Sequence, residues 1–334
     1  MYKKFKEIIT NVQVINIIQA ENPDGDSLGS ALALEEVLSD LGKDVHLYCP
    51  VDIPKYIRYL NGWSRVTNDF FFKADLNIIV DTAAEVLLSK LLDDGAIKNS
   101  LYNKPTAIID HHSSQPDIKF DCEMFIDESA VSTSDLLLKI FLDCGFKINP
   151  EAARNLLAAQ LSDTLGLTSQ NVTSDSYRTA ATLIDLGANI TEIEESRREL
   201  MKKSPRILDY KADLIKKTEY HLDGKLATVH IGWDEIREFS DEYNPNVLIL
   251  EELRLVEGVE VSVSIKTYPD GKLTGKVRSN KPIAGAIAGF FGGGGHDYAS
   301  GFRVYETFDQ ILPELVRLTD ELLNQEGSES DKTI

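Results

Sequence analysis

Cysteine is scarce in this 334-residue chain: Cys49, Cys122 and Cys144 are odd in number and lack C-x-x-C spacing. That argues against a disulfide framework and fits reduced thiols in a cytoplasmic protein. Long apolar runs are also missing. No stretch approaches the roughly 20 residues needed to cross a bilayer, so no membrane partner is expected. The N-terminal MYKKFKEIIT has lysines, but neither an apolar core nor a small-residue cleavage site follows, so no secretory signal is expected. Positive charge is in deficit, with 35 Lys and Arg against 54 Asp and Glu, a formal charge of −19. Such a surface repels a long polyanion, which argues against binding long duplex nucleic acid. A small anionic substrate stays possible if bound cations make its pocket locally positive.

What is present is an alternation. QVINIIQA, DVHLYC, LNIIVDT and PTAIIDHH read as strands, while LGSALALEEVLSDLG and AAEVLLSKLLDDG have apolar residues at helical spacing. This order predicts an α/β fold with a mainly parallel sheet covered by helices. Ligands of such sheets collect at the carboxyl ends of the strands. Three of those ends carry aspartates: Asp24 with Asp26, Asp81, and Asp110. Further helices are expected in STSDLLLKIFLDCG, PEAARNLLAAQLSDTLG and TSDSYRTAATLIDLG, then a charged connecting helix in TEIEESRRELMKKSPR. Beyond about residue 215 the texture changes, with strand-like LATVHIGW, VEVSVSIKTY and LTGKVRS and a turn at YPDGK. We therefore expect a catalytic domain over 1–190, a helical linker over 191–214, a smaller α/β domain over 215–324 and a frayed tail over 325–334.

IIDHHSS places Asp110, His111 and His112 at a strand end, joining Asp24, Asp26, Asp81 and the Asp163 of LSDTLG. Carboxylate and imidazole donors together suit Mn²⁺ or a similar divalent ion, and two such ions can assist phosphoryl hydrolysis. These motifs, with GKVRSNKPIAGAIAGFFGGGGHDYASGF in the second half, resemble the DHH/DHHA1 phosphoesterase superfamily. Within it the chain is similar to the stand-alone oligoribonuclease/pAp-phosphatase branch, which is related to phosphodiesterase domains acting on cyclic dinucleotides. The resemblance covers roughly residues 10–325. It implies two Mn²⁺ ions held by Asp24, Asp26, Asp81, His111 and Asp163, with Asp81 bridging. It also implies that His112 faces the scissile phosphate and that Asp110 orients an imidazole. Arg278, Ser279, Gly293, Gly294, Gly295 and His296 would bind substrate, with the active site in a cleft between the two domains. The implied substrate is a short oligoribonucleotide, a linear dinucleotide such as pApA, or pAp. The resemblance allows a monomer or a homodimer.

The chain departs from the family at one point. The first motif there reads H-x-x-P-D-x-D, and counting back from Asp24 gives Ala20, whose methyl group cannot ligate a metal. Strand alternation points Gln19 and Glu21 to the opposite face, and Asn22 or water is left to fill the place. The departure leaves open an enzyme with a weaker first site, a change introduced at this position, and a nucleotide-binding regulatory relative that does not cleave. A RecJ-like exonuclease is a further alternative, but it needs an added nucleic-acid-binding fold and a basic channel. These 334 residues at −19 leave no room for either.

Overall fold

Short β-branched runs build the first sheet. In the computed structural model, which describes residues 2–112, 116–295 and 297–330, these are β1 (Val14–Ile18), β2 (Asp44–Tyr48), β3 (Leu76–Val80), β4 (Thr106–Asp110) and β5 (Glu123–Ile126). All pair in parallel, in the order β2-β1-β3-β4-β5. The helices of this part are α1 (Lys3–Thr10), α2 (Gly25–Asp40), α3 (Ser89–Asp93), α4 (Gly95–Asn103), α5 (Thr133–Cys144), α6 (Pro150–Asp163), α7 (Ser174–Asp185) and α8 (Ile190–Leu200). β3 and β4 are buried along their whole length, as continuous apolar strands are when helices cover both faces. Ile15, Ile17, Ile78, Val80 and Ile109 pack with residues of α2, α5 and α6. Ile18, Ile79 and Ile108 pack on the other side with Leu91 and Leu101.

The strand order has a physical consequence. From β1 the chain passes to β2 on one side, then crosses back to β3 on the other. Where the direction reverses, the carboxyl ends of β1 and β3 leave a crevice, the preferred ligand position of open parallel sheets. Asp24 and Asp26 follow β1, and Asp81 follows β3.

Two expectations for this half change. EMFI, not foreseen as a strand, forms β5; it is a short edge strand with a single buried residue, Phe125, so it lacks a strong period. The helix expected in AAEVLLSKLLDDG is interrupted. A 3₁₀ turn covers Glu85–Leu88 and α3 stops at Asp93, because Asp94 takes an extended conformation and caps α4 by accepting from the amides of Ala96 and Ile97.

The chain divides into two compact units, Met1–Lys202 and Lys203–Ile334. The second has the strands β6 (Glu219–His221), β7 (Leu226–Ile231), β8 (Val261–Thr267), β9 (Leu273–Ser279), β10 (Gly294–Gly295) and β11 (Ala299–Val304), ordered β10-β11-β9-β8-β7-β6. Only β7 and β8 run parallel. Its helices are α9 (Pro205–Lys216), α10 (Trp233–Phe239), α11 (Pro245–Arg254), α12 (Ala284–Phe290) and α13 (Phe308–Ser330). The 191–214 stretch is divided between the units: Ile193 of α8 joins the first core, and Ile207, Tyr210 and Leu214 of α9 join a core of the second. The tail expected to fray from 325 stays helical to Ser330, since extending a packed helix carries no nucleation cost. Among the described residues, no helix is long and apolar enough to cross a membrane.

Two glycines one turn apart set the distance between α2 and α6. A Cβ at Gly25 would collide with Ser162 Oγ, and one at Gly29 would stand 2.8 Å from both Asn155 O and Ala159 Cβ. This approach brings the start of α2, with Asp26, to the end of α6, with Asp163. Gly29→Ala is expected to lower stability by about 1–3 kcal/mol through overpacking, read by urea denaturation. A variant as stable as the parent would contradict this spacing.

Candidate metal centre

Asp24 begins the site as a helix cap. Its Oδ1 accepts from the amides of Asp26 and Ser27, and the Asp24 amide donates back to Ser27 Oγ, which fixes the turn after β1. Asp26, one residue into α2, is buried and reaches the N-terminus of α5. Its Oδ2 accepts from Thr133 N at 2.6 Å, and its Oδ1 from Ser134 N at 3.2 Å and Ser30 Oγ at 3.1 Å. A helix N-terminus favours such an anion.

Asp81 leaves β3 in the left-handed region, at φ 66°, an uncommon conformation that aspartate tolerates and that clusters at functional sites. Its amide continues the sheet to Ile109 O, and its Oδ1 accepts from Thr133 Oγ1 at 2.8 Å. Asp163 is the last residue of α6. His111 Nδ1 lies 3.3 Å from Ala130 O; a proton on Nδ1 leaves the Nε2 lone pair facing the carboxylates. His111 Nε2 lies 3.8 Å from Asp26 Oδ2, 3.8 Å from Asp81 Oδ1 and 3.7 Å from Asp163 Oδ2. These separations exceed hydrogen-bond length, and Nε2 is a buried atom without a hydrogen-bond partner.

Charge in the crevice is out of balance. Burial first, then the charge of Asp26, pushes the Asp81 carboxyl well above the usual range. The same two causes, in that order, raise Asp163 to about 8. Asp24 is the exposed member of the group, but protein crowds it from behind; that desolvation, followed by Asp26, raises it too. Asp26, His111 and Asp163 can each offer one donor atom within 4.8 Å of the others, and so can Asp81, His111 and His112. An orphaned imidazole nitrogen amid carboxylate oxygens is the donor set a divalent cation takes. The residues therefore fit a metal ion.

Asp110 works differently. Its Oδ1 accepts from the amides of His111 and His112 and lies 2.8 Å from His112 Nδ1. Burial would raise the Asp110 carboxyl, but the bond from His112 and its positive charge outweigh it, and the group ends below the ordinary value. The same bond raises His112.

The helix α5 was expected from the sequence, but not the part its first turn plays in the site. Ser132 caps α5, Thr133 bonds both Asp26 and Asp81, and buried Asp135 is raised to about 7 by burial and then by Asp26. The S-x-x-D pattern of Ser132 and Asp135, shortly after DHH, is a helix-start signal that marks this segment. Beside Ala20, which is buried, the neighbours also declare themselves. Glu21 accepts from Ser89 Oγ and the Lys90 amide, and Asn22 is exposed. Gln19 is fully buried, and neither of its amide atoms has a hydrogen-bond partner.

The remaining expected residues form a separate group in the second unit. Arg278, on β9, is half-buried, with Nη1 donating to Val277 O and Nε 3.4 Å from Glu251 Oε1. Ser279 faces the other side of the strand and is fully buried, its hydroxyl donating to Glu260 O and accepting from the Lys281 amide. That hydroxyl is occupied by the protein's own backbone. Gly293 and Gly295 are required by packing, since a Cβ at either would collide with the backbone of β11, and Gly295 has φ 143°. Gly294 pairs with Gly301. His296 lies outside the described residues.

Residues 14–164 match the DHH family, N-terminal domain. It is 27% identical over 312 residues to the bifunctional oligoribonuclease and PAP phosphatase NrnA of Thermus thermophilus, covering 92% of this chain and 89% of that protein. The protein of that name from Bacillus subtilis is 24% identical, with coverages of 90% and 92%. Among solved structures, an exopolyphosphatase-related protein from Bacteroides fragilis superposes with a TM-score of 0.83 at 21% identity, covering 97% of this chain and 95% of that one. That likeness extends the shared fold through both units.

The raised carboxyls fix how the metal-free protein responds to pH. Asp163 near 8 and Asp135 near 7 stand above the unfolded value of about 3.9. The folded state then holds more protons than the unfolded one between about pH 4 and pH 8, so stability falls as pH rises through this window. In EDTA the melting temperature is expected to drop from pH 5 to pH 8. Added Mn²⁺ should restore it at pH 8 and do little at pH 5, where protons compete for the ligands. A melting temperature in EDTA that rises across this window would contradict the carboxylate cluster.

Proposed function

We propose that the chain is a metal-dependent phosphoesterase that hydrolyses short oligoribonucleotides, linear dinucleotides such as pApA, or pAp to nucleoside monophosphates. The observation that carries this reading is the bare His111 Nε2 facing Asp26, Asp81 and Asp163 at 3.7–3.8 Å in the β1/β3 crevice. The relatives named oligoribonuclease and PAP phosphatase over most of the chain support the substrate class. Asp26, Asp81, His111 and Asp163 would hold divalent ions, Mn²⁺ by donor type, with Asp24 at the exposed edge. When bound, such ions favour ionised water and offset charge growing on phosphoryl oxygens.

The chain's own residues do the rest. Asp110 fixes the His112 ring through Nδ1 and favours its cationic form, which makes His112 the proton donor, at Nε2, for the departing ester oxygen. Thr133 and the α5 amides hold Asp26 and Asp81 in one arrangement, so the ligands need little reordering. Arg278 and the backbone around Gly293–Gly295 would grip the part of the nucleotide that does not react.

Incubation with pApA, pAp and short RNA in Mn²⁺, followed by mass spectrometry, should yield nucleoside monophosphates. No product from any of them, with metal bound, would overturn the proposal. Asp81→Ala should cost at least about 3 kcal/mol of transition-state stabilisation, by analogy with other electrostatic groups; a variant keeping a tenth of the parental rate would exclude a central role for Asp81.

Ala20 supports a second reading, a nucleotide-binding protein that does not cleave. Ala20→His separates the two. An imidazole there should tighten binding of one Mn²⁺ per chain and speed hydrolysis at limiting metal, with the gain fading below about pH 6.5 as the ring protonates. Unchanged affinity by calorimetry would place residue 20 away from the ions, and tight metal binding without turnover would favour the second reading.

A further inference from the structure

The polar face of the second unit's sheet carries two lysines that have no carboxylate partner among the described residues. Register puts Ser262, Ser264 and Lys266 of β8 on the same face as Thr274, Lys276 and Arg278 of β9 and Ala299 and Gly301 of β11. α11 covers the β8 part: Ser262 Oγ donates to Leu250 O, and Ser264 Oγ lies 2.6 Å from Asn246 Oδ1. Lys266 is caught under the edge of that cover. It is 7% exposed, and its ammonium donates to one neutral group, Asn244 Oδ1, at 3.0 Å. An ammonium has three donors, and burying one without an anion is costly.

Lys276 lies diagonally across from Lys266, within reach for long side chains. Neither has a carboxylate at ion-pair distance among the described residues. Burial and then Lys276 lower the Lys266 amine to about 8, and burial and then Arg278 lower Lys276. The cover ends at β9. Lys276 is exposed and lies over Gly301, where a Cβ would come within 3.0 Å of its Cδ and Nζ. The absence of a side chain at 301 thus leaves the space above β11 to this lysine. Arg278 has one carboxylate near it, Glu251 Oε1 at 3.4 Å, but the two ammonium groups have none among the described residues, on a chain of net charge −19.

We propose that Lys266, Lys276 and Arg278 form a subsite for the terminal phosphate monoester of a short nucleotide, so that phosphorylated substrates are preferred over hydroxyl-ended ones. The proposal rests on the reading of the chain as a nucleotide phosphoesterase. A phosphate monoester is close to a dianion at neutral pH, and a planar guanidinium fork with two ammonium groups matches its charge and its several acceptor oxygens. A dinucleotide ending in hydroxyls offers only its internal phosphodiester, with a single charge and no terminal monoester oxygens. Lys266, held below the others, contributes mainly charge, and Lys276, at the open edge, contributes a direct contact.

The test uses the full chain in EDTA, where it cannot turn over, and measures equilibrium binding of pApA and of ApA by calorimetry. The parent should bind pApA at least about tenfold more tightly than ApA. Lys276→Ala should lose about tenfold in affinity for pApA and nothing for ApA, with Lys276→Arg retaining the difference. Lys266→Met should act in the same direction while melting no lower than the parent. In Mn²⁺, Lys276→Ala should raise KM for pApA and leave kcat unchanged. Equal losses for both ligands, or none for pApA, would overturn the subsite even if pApA is hydrolysed. A preserved preference in EDTA with no hydrolysis of any nucleotide in Mn²⁺ would instead overturn the phosphoesterase reading and leave the subsite standing.

Discussion

Mutual repulsion among carboxylates in one crevice is the constraint on which the first unit is built. Asp24, Asp26, Asp81 and Asp163 come from three separate stretches of chain, and bringing them together is unfavourable unless something offsets the charge. The protein offsets part of it with backbone: the α5 amides take Asp26, and the α2 amides take Asp24. The remainder pushes Asp81 and Asp163 toward holding protons. A divalent cation is the other way to relieve the repulsion, and the bare His111 Nε2 would give it a neutral donor.

The packing of the unit serves that arrangement. Gly25 and Gly29 let α2 lie against α6 closely enough for Asp26 and Asp163 to approach the same nitrogen. The parallel sheet reverses its order between β1 and β3, so the turns bearing Asp24, Asp26 and Asp81 open into one crevice. Asp81 accepts a left-handed backbone to aim inward. A change in any of these moves a carboxylate of the crevice rather than merely loosening a core.

Much of this was legible in the sequence, and the exceptions have physical reasons. The strands that lead to Asp24, Asp81 and Asp110 announce themselves as apolar runs with carboxylates at or shortly after their ends, a pattern local to each segment. β5 and the broken helix after Ala84 were illegible because an edge strand with one buried residue has no period, and because Asp94 stops one helix to cap another. Thr133 was overlooked because its importance lies in two contacts distant in sequence, to Asp26 and Asp81. Ser279 was grouped with Arg278 by motif, yet strand alternation turns it into the protein, where backbone takes its hydroxyl. Ala20 was visible at once as a departure from the H-x-x-P-D-x-D motif. That Gln19 beside it is buried with an unpartnered amide could be seen only in three dimensions.

The central claim is that the carboxylate crevice, and not another acidic surface of this strongly acidic chain, is where divalent ions bind. Anomalous diffraction from crystals grown in Mn²⁺ tests it most directly. The account predicts anomalous peaks ligated by Asp26, Asp81, His111 and Asp163. An empty crevice with Mn²⁺ bound elsewhere on the chain would contradict it.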